Sequence, residues 1–595
     1  MLSFPPSPSQ STPPHPSSIV IPEIQPLSQL TLPYPSPRVI PETQLLSQEP
    51  PSLPFSPSPS LSPRVTQIPN SQPSLPPSTD LTQEQPRRSN RFHELWAPIF
   101  RNVDTIAELN SAVARCSADW LDKTTSPEQA SPESSSAESN VSYTQRPYST
   151  KPSRNQSRDQ QRARRKKKFN EDEASRLQKL FRIYPRRAVR KVLGEKSPEY
   201  TGSLQAADLH LKTTYHRTPI SQYQRERARA IYNDCRWEQP DEDQLLHLNS
   251  PQTQDQIEVK LSGATNTAAG PDGLEYRHLK MLDPQGKLLA LIFSRVWELG
   301  IPEGWKVSQT VPIFKKGCTD DLVNFRPISL LCTQYKILSG LISQKLCATA
   351  ADLRWISDEQ KGFLPGIHGI QEHTQVLQAA VEEAKNKKRD LSITWLDLSN
   401  AFGSVPHSII FELFDSLPLP TDLRRILLDI HNNKEVKFIV GKETVFMSPN
   451  AGVRQGDALS STVFNLVVEP LIRAAKASLN PGFQMFERSV NTTAYTDDIS
   501  IVSSEENQDV LDSTIFAAGL LGLSFNSSKC CNLSFRKGKP TNHQSTINGS
   551  VIHSLGPDEH EVYLGLPIGT KTLNRPPSLL IPLLDKVRVS LHTKS

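Results

Sequence analysis

The stretch LSITWLDLSNAFGSVPH, residues 391–407, decides the fold class of this chain. Leu391, Ile393 and Trp395 alternate with polar residues, which is the period-two pattern of a β-strand. The strand delivers Asp397 at its end, and Pro406 stops the extended chain before the helical pattern of HSIIFELFDSL. The stretch therefore predicts a strand that carries a carboxylate at its carboxyl end and leads through a loop into a helix.

A second acidic stretch, TTAYTDDISIVSS at residues 492–504, predicts a β-hairpin whose two short strands meet at Thr496, Asp497 and Asp498. Adjacent aspartates suit turn geometry and, taken alone, more often shape a turn than take part in catalysis. Asp397 changes that interpretation, because carboxylates brought together at strand ends repel unless a cation lies between them. Oxygen ligands with open water positions favour Mg²⁺ or Mn²⁺, and two such ions about 4 Å apart can activate a 3′-hydroxyl group and stabilise a leaving pyrophosphate.

A third stretch, AGVRQGDALSSTVFNLVVEPLIRAA at residues 451–475, predicts a glycine-bounded loop that runs into an apolar helix. These three stretches belong to eight motifs that follow one another between about Gly270 and Gly565. The others are GPDGL at 270–274, NFRPISL at 324–330 with KKG before it at 315–317, QKGF at 360–363, GLSFNSSK at 522–529 and YLG at 563–565. In this order they resemble the reverse transcriptase of non-LTR retrotransposons, and GPDGLEYRHLK and AFGSVPH resemble the clade that carries a restriction-like endonuclease.

The resemblance implies a role for each matching residue. Asp397, Asp497 and Asp498 would be the catalytic carboxylates and, with the carbonyl of Leu398, the ligands of two Mg²⁺ ions, for which Mn²⁺ can substitute. Lys529 would be the general acid that protonates the leaving pyrophosphate. A further set of residues would bind the incoming deoxynucleoside triphosphate: Lys315, Lys316, Arg326, Phe402, Gln455, Gly456 and Tyr495.

Within this set the implied roles differ. Arg326 would neutralise the triphosphate, because the guanidinium fork matches phosphate geometry, and either of the two preceding lysines would assist. Gln455 and Gly456 would line the base and sugar pocket, where glycine allows close approach of the backbone. Phe402 would be the steric gate that excludes a ribose 2′-hydroxyl group; its alternative role is that of a core aromatic residue.

The segment before these motifs is of a different kind. By count, 23 of the 51 prolines fall between residues 1 and 87, and few apolar clusters accompany them, so residues 1–86 are predicted to be a disordered leader. A short helical segment is expected at 87–125, then a disordered Ser/Pro/Glu-rich linker at 126–160. Residues 161–250 are predicted to form a basic helical extension.

The basic extension accounts for the charge of the chain. Residues 151–200 hold 17 Lys/Arg against 6 Asp/Glu, whereas the whole chain has a net charge of +5. A basic block on a mildly acidic body predicts contact with a polyanion, most often nucleic acid; the alternative is a nuclear-import signal within RARRKKK, residues 162–168. The candidate nucleic-acid contacts are Arg162, Arg164, Arg165, Lys166, Lys167, Lys168, Arg186, Arg187 and Arg190.

Composition excludes several other classes of protein. No run approaches the 18 or so apolar residues that a membrane span needs, and the N-terminus lacks an apolar secretion signal. Seven cysteines, an odd number, do not make a disulfide framework. These features predict a reduced intracellular protein, and the basic block predicts the nucleus. The clade's usual N-terminal zinc fingers are not possible before Arg162, where Cys116 is the single cysteine, and the chain stops soon after the last motif; we therefore expect a truncated copy.

The sequence as a whole predicts an α+β protein, a right-hand polymerase that follows a disordered proline-rich leader. Fingers are expected at 251–390, a ferredoxin-like palm at 391–569, and the start of a truncated thumb at 570–595. The predicted reaction is RNA-directed DNA synthesis in target-primed reverse transcription, with template RNA, primer DNA and deoxynucleoside triphosphates as partners and no membrane. Two alternatives stay open: a catalytically inactive nucleic-acid-binding relic of such an element, and an RNA-templated RNA polymerase, which Phe402 disfavours.

Overall fold

The computed structural model describes residues 81–125, 198–432, 434–441, 443–477, 482–485, 487–504 and 507–571. Almost all of the predicted leader, the predicted linker, the first part of the basic extension and residues 572–595 lie outside the described residues. The helices are α1 Leu81–Arg101, α2 Ile106–Thr125, α3 Leu204–Tyr215, α4 Gln222–Asp234, α5 Glu242–Asn249, α6 Gln254–Gly263, α7 Tyr276–Leu282, α8 Lys287–Leu299, α9 Glu303–Lys306, α10 Thr333–Asp352, α11 Gly369–Asn386, α12 Ala401–Ser404, α13 His407–Ser416, α14 Thr421–His431, α15 Ala458–Ala477 and α16 Gln508–Leu520.

The strands alternate with these helices in the second half of the chain. They are β1 Val307–Phe314, β2 Phe325–Leu330, β3 Leu391–Asp397, β4 Glu435–Val440, β5 Glu443–Met447, β6 Phe483–Met485, β7 Arg488–Val490, β8 Thr492–Tyr495, β9 Asp498–Ser503, β10 Cys531–Arg536, β11 Lys539–Thr541, β12 Thr546–Ile547, β13 Ser550–Val551, β14 His553–Ser554, β15 His560–Tyr563 and β16 Leu566–Gly569. None of the helices within the described ranges is long and apolar enough to cross a membrane.

Two helices replace the single helical segment that was predicted near the start. Helix α1 begins at Leu81, inside the predicted leader, and the chain turns at residues 102–105 before α2 begins. Phe92, Trp96 and Phe100 follow one another at four-residue spacing, and all three are buried in the main hydrophobic core. The indole of Trp120 on α2 donates to the His278 carbonyl at 3.0 Å. These aromatic side chains pack against later helices, and α1 begins six residues before the helical segment that was predicted from residue 87.

The sheet that carries the acidic motifs has six strands. Its order is β11-β10-β3-β9-β8, with β14 paired to β10, and β3 lies between β10 and β9. The alternation predicted a strand here, and the structure buries its polar positions as well as its apolar ones: Thr394 is fully buried, and its hydroxyl accepts from Asn507 Nδ2 at 3.1 Å. Because this central strand is covered on both faces, its apolar and polar side chains alternate between two faces of the sheet that are both buried.

A second sheet of four strands has the order β2-β1-β4-β5. Strands β1 and β2 are antiparallel, whereas β1 and β4 are parallel, with Val307 opposite Glu435. This sheet joins strands from both sides of residue 390, where the sequence analysis set the border between two ranges. A parallel pairing between segments about 120 residues apart leaves no local signature in the sequence. A division of the chain into consecutive ranges therefore could not place these strands in one sheet.

Candidate active site

Three aspartates lie together at one edge of the six-stranded sheet. Asp397 ends β3, and it is directly opposite Asp498, the first residue of β9, in the antiparallel register. Asp497 precedes Asp498 in the two-residue turn between β8 and β9. Opposite residues of an antiparallel pair point to the same face of the sheet. The fold therefore concentrates at this edge the three carboxylates that the sequence singled out, although Asp498 begins a strand and does not lie at the tip of the turn.

The three carboxylates perturb one another. Loss of contact with water, and then the charges of Asp497 and Asp397, raise the pKa of Asp498 to about 6, although its side chain keeps some exposed surface. Burial also raises the pKa of Asp497; the charge of Asp397 adds to this rise, and the hydrogen bond from the Thr496 hydroxyl opposes it. Mutual repulsion of this kind is relieved when a cation binds between the groups.

Two of these carboxylates are engaged by other side chains. Lys529 Nζ lies 3.3 Å from Asp397 Oδ2, and Thr496 Oγ1 donates to Asp497 Oδ1 at 2.9 Å. Within the described residues, no three His, Cys, Asp or Glu side chains converge closely enough to ligate one ion as they stand. The Asp397–Lys529 ion pair is exposed, and exposed pairs contribute about 0–1 kcal/mol, so a divalent cation can displace the lysine.

The donor set at this edge fits a hard divalent cation. A bridge between Leu398 and Phe525 extends β3 by one residue, and it is closed by Ser399 N to the Ser524 carbonyl and by Asn526 N to the Asp397 carbonyl. The Leu398 carbonyl takes no part in these two hydrogen bonds. One carbonyl and three carboxylates supply oxygen ligands only, which is the chemistry of Mg²⁺ or Mn²⁺ sites.

A strained turn holds Asp497 and Asp498 in place. Thr496 has a φ of +57°, which is uncommon for a β-branched residue. The side chain of Gln360, itself fully buried, fixes this turn: its Oε1 accepts from Thr496 N at 2.7 Å and from Gly362 N at 2.9 Å, and its Nε2 donates to the Thr496 carbonyl at 3.3 Å. Asn465 Nδ2 in turn donates to the Gly362 carbonyl at 2.8 Å.

Gly362 allows this arrangement, because a Cβ atom there would lie 2.5 Å from Thr496 N. The sequence analysis quoted QKGF as a family motif but assigned no role to Gln360, and it did not single out Asn465. A buried amide that bonds to backbone at a distance of 136 residues has no signature in a single sequence. The clamp formed by Gln360, Gly362 and Asn465, hereafter the turn clamp, is therefore a finding of the structure.

Positive side chains lie beside the carboxylates. Lys315 follows β1, where Ile313 is directly opposite Arg326 of β2; desolvation and the positive charges of Arg326 and Lys529 lower the pKa of Lys315. Arg326 is exposed on β2, and Lys316 is exposed in the connection between β1 and β2. The hairpin of β1 and β2 thus brings its basic residues toward the lysine that touches Asp397.

The glycine-bounded loop packs between the two sheets. The Gln455 carbonyl accepts from Ser329 N at 2.7 Å, and a Cβ atom on Gly456 would lie 2.8 Å from the Ser329 carbonyl, so a larger residue there would collide with β2. The Phe402 carbonyl accepts from Val453 N at 2.8 Å in the same loop. The Phe402 ring is half-buried and stacks on Phe464 with 4.5 Å between centroids.

Tyr495 and the basic extension complete the set of predicted site residues, and Tyr495 ends β8 directly opposite Asp498. The Tyr495 ring is half-buried, 6.0 Å from the exposed Phe363 ring beside the acidic turn. The basic residues from Arg162 to Arg190 lie outside the described residues, so their contact with nucleic acid stays a prediction.

Asp498 makes the stability of the metal-free protein depend on pH. Its pKa of about 6 exceeds the ordinary 3.8, so between these values the folded chain binds a proton that the unfolded chain has lost. Stability without metal must therefore fall as pH rises from about 4 to about 6. In EDTA at pH 7.5, we expect Asp498→Asn to raise Tm by about 2 °C, and at pH 4 to leave it unchanged. Equal melting of both proteins at pH 7.5 would contradict this assignment.

A sheet edge that presents three carboxylates, with lysine and arginine side chains beside it, has the chemistry of a site that binds divalent metal ions and a phosphate-bearing substrate. Comparison with known proteins shows which family of enzymes this region resembles. Residues 313–568 match the family described as reverse transcriptase (RNA-dependent DNA polymerase). The match covers less than half of the chain, and it shows that residues 313–568 are similar to a reverse transcriptase domain.

Similarity to individual proteins covers the same region. The chain is 27% identical to the Pol polyprotein of the type-1 retrotransposable element R2 from Nasonia vitripennis, over 54% of this chain and 32% of that protein. It is 31% identical to the R2 polyprotein of Bradysia coprophila, over 46% of this chain and 31% of that protein. It is 28% identical to the RNA-directed DNA polymerase from mobile element jockey of Drosophila funebris, over 50% of this chain and 33% of that protein. The chain thus spans about a third of the length of these relatives. Reverse transcriptases as a family use divalent metal ions, and they act on an RNA template, a DNA primer and deoxynucleoside triphosphates.

Proposed function

We propose that this chain adds deoxynucleotides to a DNA 3′-end on an RNA template, with Mg²⁺ as its metal. The observation that carries the proposal is the placement of Asp397, Asp497 and Asp498 at one edge of the sheet, where each carboxylate feels the charge of another, next to the cations of the β1–β2 hairpin. Asp397, Asp497, Asp498 and the Leu398 carbonyl would hold two Mg²⁺ ions. When bound, these ions supply activation of the primer hydroxyl and stabilisation of the leaving pyrophosphate.

The strand order supports a palm at this site. The strands β10, β3, β9 and β8 are adjacent in that order, so the first strand along the chain pairs with the last and the third. Helix α15 connects β3 toward β8, and α16 connects β9 to β10. This is the arrangement of a ferredoxin-like split β-α-β fold. We assign the four-stranded sheet to the fingers, which means that the fingers include β4 and β5 from beyond residue 390.

The other predicted side chains would bind the nucleotide and transfer a proton. Arg326 and Lys315, with Lys316 beside them, would neutralise the triphosphate as it enters between the sheets. Gln455 and Gly456 would contact the base and sugar, and Tyr495 would border the same pocket. Lys529 would leave Asp397 when metal binds and give its proton to the departing pyrophosphate.

Phe402 is proposed to select deoxyribose. Its ring stacks on Phe464 and is therefore held rigidly, while its half-exposed edge can meet the sugar. Phe402→Ala should raise the efficiency of UTP relative to dTTP by about 100-fold, because the space for a 2′-hydroxyl group opens. Phe414→Ala, which removes a buried core ring of the same kind, is the control for lost packing. Single-nucleotide incorporation measures the ratio, and an unchanged ratio in Phe402→Ala would contradict the gate.

The element from which the chain derives supplies the proposed biological setting. The R2 relatives are polyproteins of retrotransposable elements. We propose that this chain acts in the nucleus and starts DNA synthesis from a nicked chromosomal 3′-end. The basic block at 151–200 would hold the template RNA through its phosphates, so binding should weaken steeply with salt.

Primer extension tests the proposal. The full chain is mixed with poly-rA and an oligo-dT primer, labelled dTTP and Mg²⁺, and template binding is measured in the same samples. We expect extended primer that EDTA abolishes and excess Mg²⁺ restores. Binding without extension under every metal condition would instead support a nucleic-acid-binding relic. In such a relic, Lys529 would stay paired with Asp397 in place of a metal ion.

A further inference from the structure

A buried lysine without a partner lies behind the glycine-bounded loop. Lys434, which precedes β4, is 4% exposed. Among the described residues no hydrogen-bond acceptor or carboxylate pairs with its ammonium group. Lys434 lines a cavity of about 40 Å³ together with Ser329, Thr310 and Gln455. A charge in this position is strongly unfavourable unless a counter-charge accompanies it.

The protein around Lys434 adds positive charge and little negative charge. Arg454 lines the same cavity, is 7% exposed, and donates to the backbone carbonyls of Trp305 and Lys306, neither of which neutralises it. Among the described residues, the acid whose charge acts on Lys434 is Asp457, and its carboxylate already accepts from the Tyr335 hydroxyl at 2.7 Å. Burial and the charge of Arg454 lower the pKa of Lys434, so its ammonium form requires a counter-charge beyond the one carboxylate that Asp457 supplies for two cations.

The histidines in this region do not change that balance. His407 Nε2 bonds to the Gly452 carbonyl and His431 Nδ1 to the Leu427 carbonyl, each at 2.9 Å. Burial and the charge of Lys434 lower the pKa of His407 to about 3, and the same two causes lower the pKa of His431, so both rings are neutral at pH 7.

The cavity also offers a second donor. Thr310 Oγ1 and Ser329 Oγ are 3.1 Å apart and share one hydrogen bond, so the accepting hydroxyl keeps a proton that this pair does not use. The rest of the lining is largely apolar, as at Val436, Phe438 and Met447. A volume of this size holds one small ion or water molecule.

We propose that this cavity binds one chloride-sized monovalent anion, which pairs with the Lys434 ammonium group and accepts from the free hydroxyl of the Thr310–Ser329 pair. The ion would neutralise the excess charge. It would also stabilise the loop beside it, because Ser329 N holds the Gln455 carbonyl on the same wall of the cavity. The proposal concerns the folded chain alone and does not rest on polymerase activity.

The test compares anions in the absence of nucleic acid, whose binding depends on salt for other reasons. The Tm of the full chain is measured in sodium chloride and in sodium gluconate, an anion too large for the cavity, at equal ionic strength. We expect the wild-type chain to melt about 2 °C higher in chloride than in gluconate. Line broadening of the ³⁵Cl NMR signal on addition of the chain reports binding directly, and bromide should reverse it by competition.

Two variants make the test specific. Lys434→Met removes the charge with little change of shape, and we expect it to lose both the chloride-dependent Tm shift and the competable broadening. Lys437→Met is the matched control, since Lys437 lies three residues further on, within β4, but is half-exposed, over the Phe446 ring; it should respond as the wild type does. If Lys434→Met does not fold, the wild-type chain alone tests the proposal: broadening of the ³⁵Cl signal that bromide reverses would support it. No broadening in the wild type, or an equal Tm shift in Lys434→Met, would overturn the proposal and leave a neutral lysine beside water.

Discussion

Asp397→Asn is expected to reduce single-nucleotide incorporation by about 10³-fold, the equivalent of about 4 kcal/mol in transition-state free energy. Asp397 is the one carboxylate that β3 brings to the hairpin, and it lies directly opposite Asp498 in the register. An amide at this position keeps the shape of the side chain but removes one of the three negative charges. The remaining two would then hold divalent ions weakly.

The control for this prediction is Asp415→Asn. Asp415 is an exposed residue of α13, so the substitution removes one charge from the surface and should leave incorporation unchanged. Rates are measured in single turnover at saturating Mg²⁺ and again in Mn²⁺, and circular dichroism confirms that both variants are folded. Retention of more than a tenth of the wild-type rate in Asp397→Asn would show that the site works without this carboxylate.

Gln360→Leu is expected to cost about 10²-fold in incorporation, although Gln360 is not placed to touch substrate. The amide of Gln360 bonds to both the N–H and the carbonyl of Thr496, whose positive φ must be maintained for Asp497 and Asp498 to stay in place. Leucine has a similar volume and none of these hydrogen bonds. A misplacement of about 1 Å at a catalytic group can account for a loss of this size.

A matched variant separates positioning from general destabilisation. Gln508 bonds to the backbone of Thr546 in the same way, with Nε2 to the carbonyl and Thr546 N to Oε1, both at 2.9 Å, and it lies away from the carboxylates. Gln508→Leu should lower Tm but not the rate at 25 °C. In Gln360→Leu, the apparent affinity for Mg²⁺ should fall together with the rate. Equal rates in the two leucine variants would contradict the turn clamp.

The acidic motifs allowed more of the site to be predicted than of the fold. Strand β3, the hairpin around Thr496 and the helix after the glycine-bounded loop were each predicted from local pattern and are confirmed, because period and turn chemistry are local properties. The pairing of β1 with β4 and the burial of both faces of β3 depend on distant segments, so periodicity alone did not indicate them.

The side chains that support the site were harder to predict than those that form it. Asp397 and Asp497 stand out because a carboxylate at the end of an apolar strand is chemically conspicuous. Gln360 and Lys434 are inconspicuous in the sequence, and their importance arises from complete burial beside a strained turn and beside a cavity. Burial of a polar group is a tertiary property, and it requires the structure to be recognised.

The most direct measurement of the central claim is primer extension on poly-rA with oligo-dT, comparing the wild-type chain with Asp497→Ala in parallel reactions that contain Mg²⁺ and dTTP. Asp497 lies in the turn between the paired strands and makes no described contact with the glycine-bounded loop, so its replacement should spare template binding. We predict that the wild type extends the primer and that Asp497→Ala binds the same template without extending it. Equal extension by both chains, or none by either while binding is intact, would contradict the claim that these aspartates catalyse DNA synthesis.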